Sequence, residues 1–107
     1  MDDIEMYFTS LIGKIYKLLP MREDYDFGVE NYLPAYVNNL FRNLCSYKAY
    51  YPGLEHDKRF VDVCSNLLTL RDVTLPFDMW RSVVLRSTRL VEEIARDRAE
   101  RSESPDA

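Results

Sequence analysis

The sequence predicts an all-α protein, a single-domain antiparallel bundle of about four helices. Apolar side chains recur with a helical period in four segments, and mostly short links join these segments. The chain has 107 residues, 47% of them apolar and 30% charged, which suits one ordinary globular domain. It contains only three glycines, whereas an all-β fold needs many tight turns.

The first helix is predicted over Asp3–Leu19, because its apolar residues fall within one half of a helical wheel. Pro20 is expected to end this helix, since proline disfavours the α conformation in the residue before it. Residues 20–30 follow as an acidic connection without a clear period. Its two aromatic residues, Tyr25 and Phe27, are expected to hold it against the core.

Three further helices follow in order. The second begins near Asn31 and ends before Pro52, with a proline in its first turn, where a missing N–H is harmless. The third runs roughly over Asp57–Arg71, with its aspartate as the N-cap. The fourth opens at Pro76 and reaches about Arg101. Residues 1–101 are therefore predicted to form the bundle domain, and residues 102–107 a disordered C-terminal tail.

Each helix has one apolar face that we expect to be buried. These faces include Tyr7, Phe8, Leu11, Ile15 and Tyr16 in the first helix, Tyr36, Val37, Leu40, Leu44 and Tyr47 in the second, Phe60, Val61, Val63 and Leu67 in the third, and Phe77, Trp80, Val84, Val91 and Ile94 in the fourth.

No combination of residues in the sequence indicates catalysis. His56 is the only histidine and lies between two acidic residues in a Pro-Gly loop, where a solvated side chain is expected. Cys45 and Cys64 lie on apolar helix faces, which favours buried, inert thiols. Neither a Glu-x-x-His pair nor a Gly-rich phosphate loop occurs. We therefore expect a non-enzymatic protein without catalytic residues, cofactor or metal.

The outer face of the second helix is the best candidate for a partner-binding surface. Tyr32, Asn39, Asn43 and Tyr50 line up within about 40° on the wheel, and we call them the tyrosine–asparagine stripe. Only one charge lies on this outer face, and depletion of charge with tyrosines at both ends is typical of a protein interface. An internal alternative stays open, in which residues 20–30 fold over the stripe and cover it.

The fourth helix suggests an alternative function, binding of DNA or RNA. Arg81, Arg86 and Arg89 could form a basic recognition face, as in a helix-turn-helix protein. Acidic residues interleave with these arginines, and the chain has a net charge of −4, which disfavours contact with a polyanion. The sequence therefore favours a protein partner over nucleic acid.

The remaining expectations concern assembly and location. The fourth helix, of about 25 residues, is longer than its neighbours and has a mostly charged far end. This end could support a homodimer, and the alternative is a frayed C-terminal turn. The acidic start of the chain is unlike a secretory signal, and no apolar run approaches the roughly 20 residues that span a bilayer. With two cysteines and no Cys-x-x-Cys motif, a cytoplasmic location is expected.

Overall fold

The computed structural model describes residues 3–23, 29–47, 51 and 53–103, with the side chains of residues 6–20, 34–47, 51 and 53–100. The described helices are α1 (Asp3–Tyr16), α2 (Leu18–Glu23), α3 (Val29–Tyr47), α4 (Lys58–Asp72) and α5 (Phe77–Glu103), with a 3-10 turn at Leu54–His56. No described residue lies in a strand. The prediction of an all-α bundle is confirmed, with α1, α3, α4 and α5 as its four longer helices.

Contacts between the helices fix their directions. Arg71 near the end of α4 reaches Asn38 at the middle of α3. Residues along α4 then meet α5 in reverse order, because Arg59 contacts Asp97 whereas Asn66 contacts Ser87. The bundle is therefore antiparallel. The most extensive packing joins α1 to α5, α5 to α4 and α4 to α3, whereas α1 and α3 contact each other much less.

The expectation that Pro20 ends the first helix is wrong. Helix α1 ends earlier, at Tyr16, and the chain turns at Lys17, whose N–H still donates to the Gly13 carbonyl at 3.2 Å. Pro20 is the third residue of α2. Backbone N–H groups in the first turn of a helix have no acceptor within that helix, so the missing N–H of proline removes no hydrogen bond there. A continuous helix would press the proline ring against the Tyr16 carbonyl, four residues earlier. The break at Lys17 relieves that clash.

The starts of α4 and α5 follow ordinary capping chemistry. The Asp57 side chain accepts a hydrogen bond from the Arg59 N–H at 2.9 Å, which confirms it as the N-cap of α4. The carbonyl of Pro76 accepts the N–H of Trp80 at 2.9 Å, so this proline precedes α5 rather than opening it. Helix α5 continues through Glu103, past the predicted boundary at residue 101. Residues 104–107 lie outside the described residues.

One apolar core joins all the helices. Its buried members are Phe8, Leu11, Ile15, Leu18, Val37, Leu40, Leu44, Leu54, Phe60, Val63, Leu67, Leu70, Trp80, Val84, Val91 and Ile94. Ser87 and Thr88 are also buried and were missed, although their spacing from Val84 and Val91 places them on the same helix face. Each donates its hydroxyl to a backbone carbonyl of the preceding turn, which satisfies it inside the core.

Three residues predicted to be buried are exposed instead, which corrects the prediction. Tyr16 is 42% exposed and Phe77 37%, because they are the terminal residues of α1 and α5, where each helix leaves its neighbours. Val61 is 49% exposed, since it lies about 100° around α4 from Phe60, outside the arc that faces the core.

Candidate functional site

A groove lies between α1 and α3, on the side of the bundle where adjacent helices contact each other least. Its volume is about 200 Å³. We call it the α1–α3 groove, and its described lining residues are Tyr7, Ser10, Leu11 and Lys14 from α1 and Asn43 and Tyr47 from α3. Ser10, Lys14 and Asn43 are exposed, whereas Leu11 is buried, so the groove has a polar rim above an apolar floor.

Aromatic rings form one end of this floor. The rings of Tyr7 and Tyr47 stack with centroids 3.4 Å apart and planes inclined by 22°. Tyr51 stacks on Tyr47 in turn, at 5.8 Å, and Phe8 lies 5.0 Å from Tyr7. Such ring pairs stabilise a contact by about 0.5–1.5 kcal/mol beyond the area they bury. The cluster therefore joins α1 to the C-terminal end of α3.

A hydrogen bond fixes α1 and α3 farther along the groove. The hydroxyl of Tyr36 on α3 donates to the backbone carbonyl of Lys14 on α1 at 2.9 Å. Lys14 lies two residues before the end of α1, where carbonyls begin to lack helical donors. The bond sets the separation of the two helices while leaving the Lys14 ammonium exposed on the rim.

The Tyr7 hydroxyl is buried, and it has no hydrogen-bond partner among the described residues. Burial raises the pKa of this phenol well above its ordinary value, and the nearby Tyr47 and Tyr51 raise it further. The two free cysteines, Cys64 and Cys45, also lie close enough to contribute. Tyr7 is therefore neutral throughout the physiological pH range and acts as an aromatic surface rather than as an acid or base.

The structure places one described member of the tyrosine–asparagine stripe in the lining of the groove. Asn43 lines it, and Asn39, one turn earlier on α3, is exposed beside it. The side chain of Tyr32 and the whole of Tyr50 lie outside the described residues, as do residues 24–28 of the 20–30 segment that is the alternative cover for the stripe. The neighbouring Asn38 has a different role, because its amide oxygen accepts a hydrogen bond from Arg71 at 2.7 Å.

Sequence reasoning missed the α1 half of the groove. Tyr7 and Leu11 were assigned to the core, and Ser10 and Lys14 to an ordinary solvent face. The wheel of a single helix gives no information on which neighbour leaves a gap. The sequence feature that could have indicated the groove is the edge of the apolar face of α1. At this edge, the polar Ser10 and Lys14 lie next to the apolar Tyr7 and Leu11.

The arginines of α5 form a mixed-charge surface. Arg81, Arg86 and Arg89 are all exposed, and the last two line a shallow hollow of about 460 Å³. Arg81 lies about 140° around the helix from Arg86, so the three do not share one stripe. The sequence of α5 contains equal numbers of arginines and carboxylates: Arg81, Arg86, Arg89, Arg96, Arg98 and Arg101, and Asp78, Glu92, Glu93, Asp97, Glu100 and Glu103. The helix as a whole is neutral.

A cluster of ion pairs joins the start of α4 to α5. Arg59 binds both Asp57 oxygens through Nε at 3.0 Å and Nη2 at 2.8 Å, and the same Nη2 contacts Asp97 at 2.8 Å. The hydrogen bond from Arg59 lowers the pKa of Asp57, and the pKa of Arg59 is raised in return. His56 lies beside this cluster with its side chain 84% exposed, 3.6 Å from Glu55.

Cys45 and Cys64 are free and half-buried near Tyr7, rather than fully buried as expected. Within the described part of the chain, no three His, Cys, Asp or Glu side chains lie close enough together to hold a metal ion. Among the described helices, none combines the length and apolar character needed to cross a membrane.

Comparison of the chain with protein families, with curated proteins and with solved structures found no significant match.

Proposed function

We propose that this chain is a non-enzymatic interaction protein that binds another protein at the α1–α3 groove and the adjoining outer face of α3. The groove itself carries the proposal, since it combines a buried apolar floor with a polar rim. An adaptor of this kind requires a rigid scaffold and one recognition surface. A cytoplasmic location remains part of this proposal.

The size of the groove favours a protein ligand. Pockets for small-molecule ligands usually measure about 300–1,000 Å³ and bury most of the ligand. The α1–α3 groove, at about 200 Å³, is smaller and open on its rim. A cavity of roughly 150 Å³ can hold a benzene-sized group, so the groove suits one large side chain of a partner.

The chemistry of the rim suits contact with a polypeptide. The exposed amides of Asn39 and Asn43 offer both donors and acceptors, which can pair with a partner's backbone. The Tyr7–Tyr47 stack adds rigid aromatic area, and tyrosine is enriched in interfaces for this reason. Exposed large apolar residues nearby on α1, including Met6 at 57%, extend the apolar surface.

The test compares two variants in which tryptophan is placed at different positions on the bundle. Asn43→Trp fills the groove with an indole, and Ser65→Trp places the same ring on the exposed face of α4. Proteins captured by the wild-type chain from its native cell are identified and purified, and their Kd is measured with each variant. We expect Asn43→Trp to abolish direct binding and Ser65→Trp to leave it unchanged. Equal binding by both variants would remove the groove as the site.

Nucleic-acid binding through α5 is the second candidate function. Arg86 and Arg89 are exposed together along a hollow, which is the observation in its favour. Against it stand the balanced charge of α5 and the net charge of −4. A gel-shift assay with duplex DNA and structured RNA at low salt tests this alternative. We expect no shift. A shift that is lost in the double variant Arg86→Ala, Arg89→Ala would establish nucleic-acid binding through α5.

We also propose that the chain can form a homodimer through α5. Asp97 meets Arg59 near the start of α4, and α5 continues to Glu103, so its last turn and a half extend past that contact. A second copy of the chain could pack against this last part of α5. Sedimentation equilibrium at micromolar concentration tests it, and a strict monomer would remove the homodimer.

A further inference from the structure

We propose that the segment bound in the α1–α3 groove is acidic, with one large apolar side chain in the groove and a carboxylate that pairs with Lys14. This inference rests on the proposed function and specifies the chemical class of the partner.

The charge distribution supplies the first argument. Lys14 is the only charged side chain among the described residues that line the groove. Its side chain is exposed on the rim. The described lining therefore presents a positive charge and no negative charge to a partner. Complementary charge directs encounter and excludes wrong partners.

The position of Lys14 supplies the second argument. Lys14 lines the groove, and its backbone is held in place by the hydrogen bond from Tyr36. No described carboxylate forms an ion pair with Lys14, whereas Arg59 and Arg71 on α4 each pair with an aspartate. The lysine ammonium is therefore available at the edge of an apolar floor. A partner carboxylate one or two residues from its apolar anchor would reach it.

The floor distinguishes an acidic peptide from other anions. Leu11 and the Tyr7–Tyr47 stack offer an apolar and aromatic surface with room for one side chain. Nucleic acid would gain little from that pocket, and a long polyanion would also meet the acidic remainder of the protein. A short acidic segment with an apolar anchor uses both the floor and the cation.

The experiment begins with a phage library of short random peptides. The library is selected on the immobilised full-length wild-type chain and counter-selected on Asn43→Trp. Ser10→Trp, which fills the groove from α1, is a second counter-selection variant, and circular dichroism checks that both are folded. We expect the enriched peptides to contain more Asp and Glu than the library, next to one Leu, Ile, Phe or Trp.

Charge reversal then tests the contact itself. The most enriched peptide is synthesised, and its Kd is measured with wild type, Lys14→Glu and Lys58→Glu, which makes the same charge change on the exposed first turn of α4. We expect Lys14→Glu to weaken binding by about fivefold, near the upper range for an exposed ion pair. Lys58→Glu should leave the Kd within error, and raising the salt concentration should reduce the difference between the variants.

Each other outcome has a definite meaning. Groove-dependent peptides without an excess of acidic residues would overturn the acidic inference and leave the proposed function standing. Equal loss of affinity in Lys14→Glu and Lys58→Glu would do the same, because only the net charge would then matter. Selection that yields no peptide sensitive to either tryptophan variant would overturn the proposed function as well. A wild-type dimer that Asn43→Trp dissociates would identify a second copy of this chain as the occupant and overturn the proposed peptide.

Discussion

Helices α4 and α1 differ in how they are joined to their neighbours. Side chains of α4 make hydrogen bonds to both adjacent helices, from Arg71 to Asn38 on α3 at 2.7 Å and from Arg59 to Asp97 on α5 at 2.8 Å. Helix α1 meets α3 through the ring stack at one end and the bond from Tyr36 farther along, with the groove beside them. The bundle thus has a closed side, formed by α3, α4 and α5, and an open side between α1 and α3.

This difference separates stability from recognition within one small domain. On the closed side, polar side chains form hydrogen bonds between the chain's own helices. On the open side, exposed amides and a lysine surround apolar surface that the chain leaves partly uncovered. Substitutions on the closed side and in the core should therefore alter stability, and those on the open rim should alter binding.

The largest effect is expected in the core that both sides share. Leu40 is 2% exposed on the inner face of α3, and Leu40→Ala should lower the free energy of unfolding by about 2–5 kcal/mol through lost burial and a cavity. Its neighbour Asn39 is exposed, so Asn39→Ala should change stability by less than about 0.5 kcal/mol. Urea unfolding followed by circular dichroism measures both. A large loss in Asn39→Ala would mean that the chain itself covers the open side.

The next effect concerns the closed side at the start of α4. Asp57 caps this helix and binds Arg59, so Asp57→Ala should cost about 1–2 kcal/mol of unfolding free energy. Asp57→Asn keeps the capping oxygen and removes the charge, so its loss should be smaller. If both variants lose the same amount, the ion pair rather than the cap stabilises this end.

The same residue predicts a dependence on pH. Its pKa in the folded protein is lowered by the Arg59 hydrogen bond, below about 3.9 for the unfolded chain. The stabilising contribution is therefore present above about pH 4 and is lost as the pH falls through the lowered pKa. The difference in stability between wild type and Asp57→Asn should shrink between about pH 6 and about pH 3. A difference that grows on acidification contradicts this assignment.

Two tyrosines on the open side should respond in opposite ways to one substitution. Tyr36→Phe removes the hydrogen bond to Lys14 and should cost about 0.5–1.5 kcal/mol. Tyr7→Phe removes a buried hydroxyl with no described partner, so stability should stay unchanged or rise by up to about 1 kcal/mol. Thermal and urea unfolding of the two variants measure the contrast. An equal loss in both would show that the Tyr7 hydroxyl is hydrogen-bonded in solution.

The smallest effect is expected on the outer face of α1. A Cβ at Gly13 would meet no atom within 4 Å, and glycine within a helix costs about 0.5–1 kcal/mol relative to alanine. Gly13→Ala should therefore stabilise the protein by about that amount. The matched control is Gly53→Ala, which should destabilise it because Gly53 has a φ of +85° that alanine rarely adopts.

The sequence predicted what each helix determines by itself. The all-α class, with four longer helices, and the Asp57 cap follow from local periodicity and capping chemistry, and the structure bears these out. Features that need two elements could not be predicted in this way. The groove depends on how α1 is placed relative to α3, and these two helices contact each other little. The exposure of Tyr16 and Phe77 likewise depends on where their neighbours end.

The central claim, that the open side is where this protein binds another, is tested most directly by site-specific photocrosslinking in the native cell. A photoreactive phenylalanine analogue is placed at Asn43 on the groove rim or at Ser65 on the outer face of α4, and both sites are exposed. The account predicts that irradiation joins the Asn43 variant to one partner protein, seen as a single heavier species, while the Ser65 variant keeps the mass of the free chain. A partner captured from Ser65 and not from Asn43 would contradict the account.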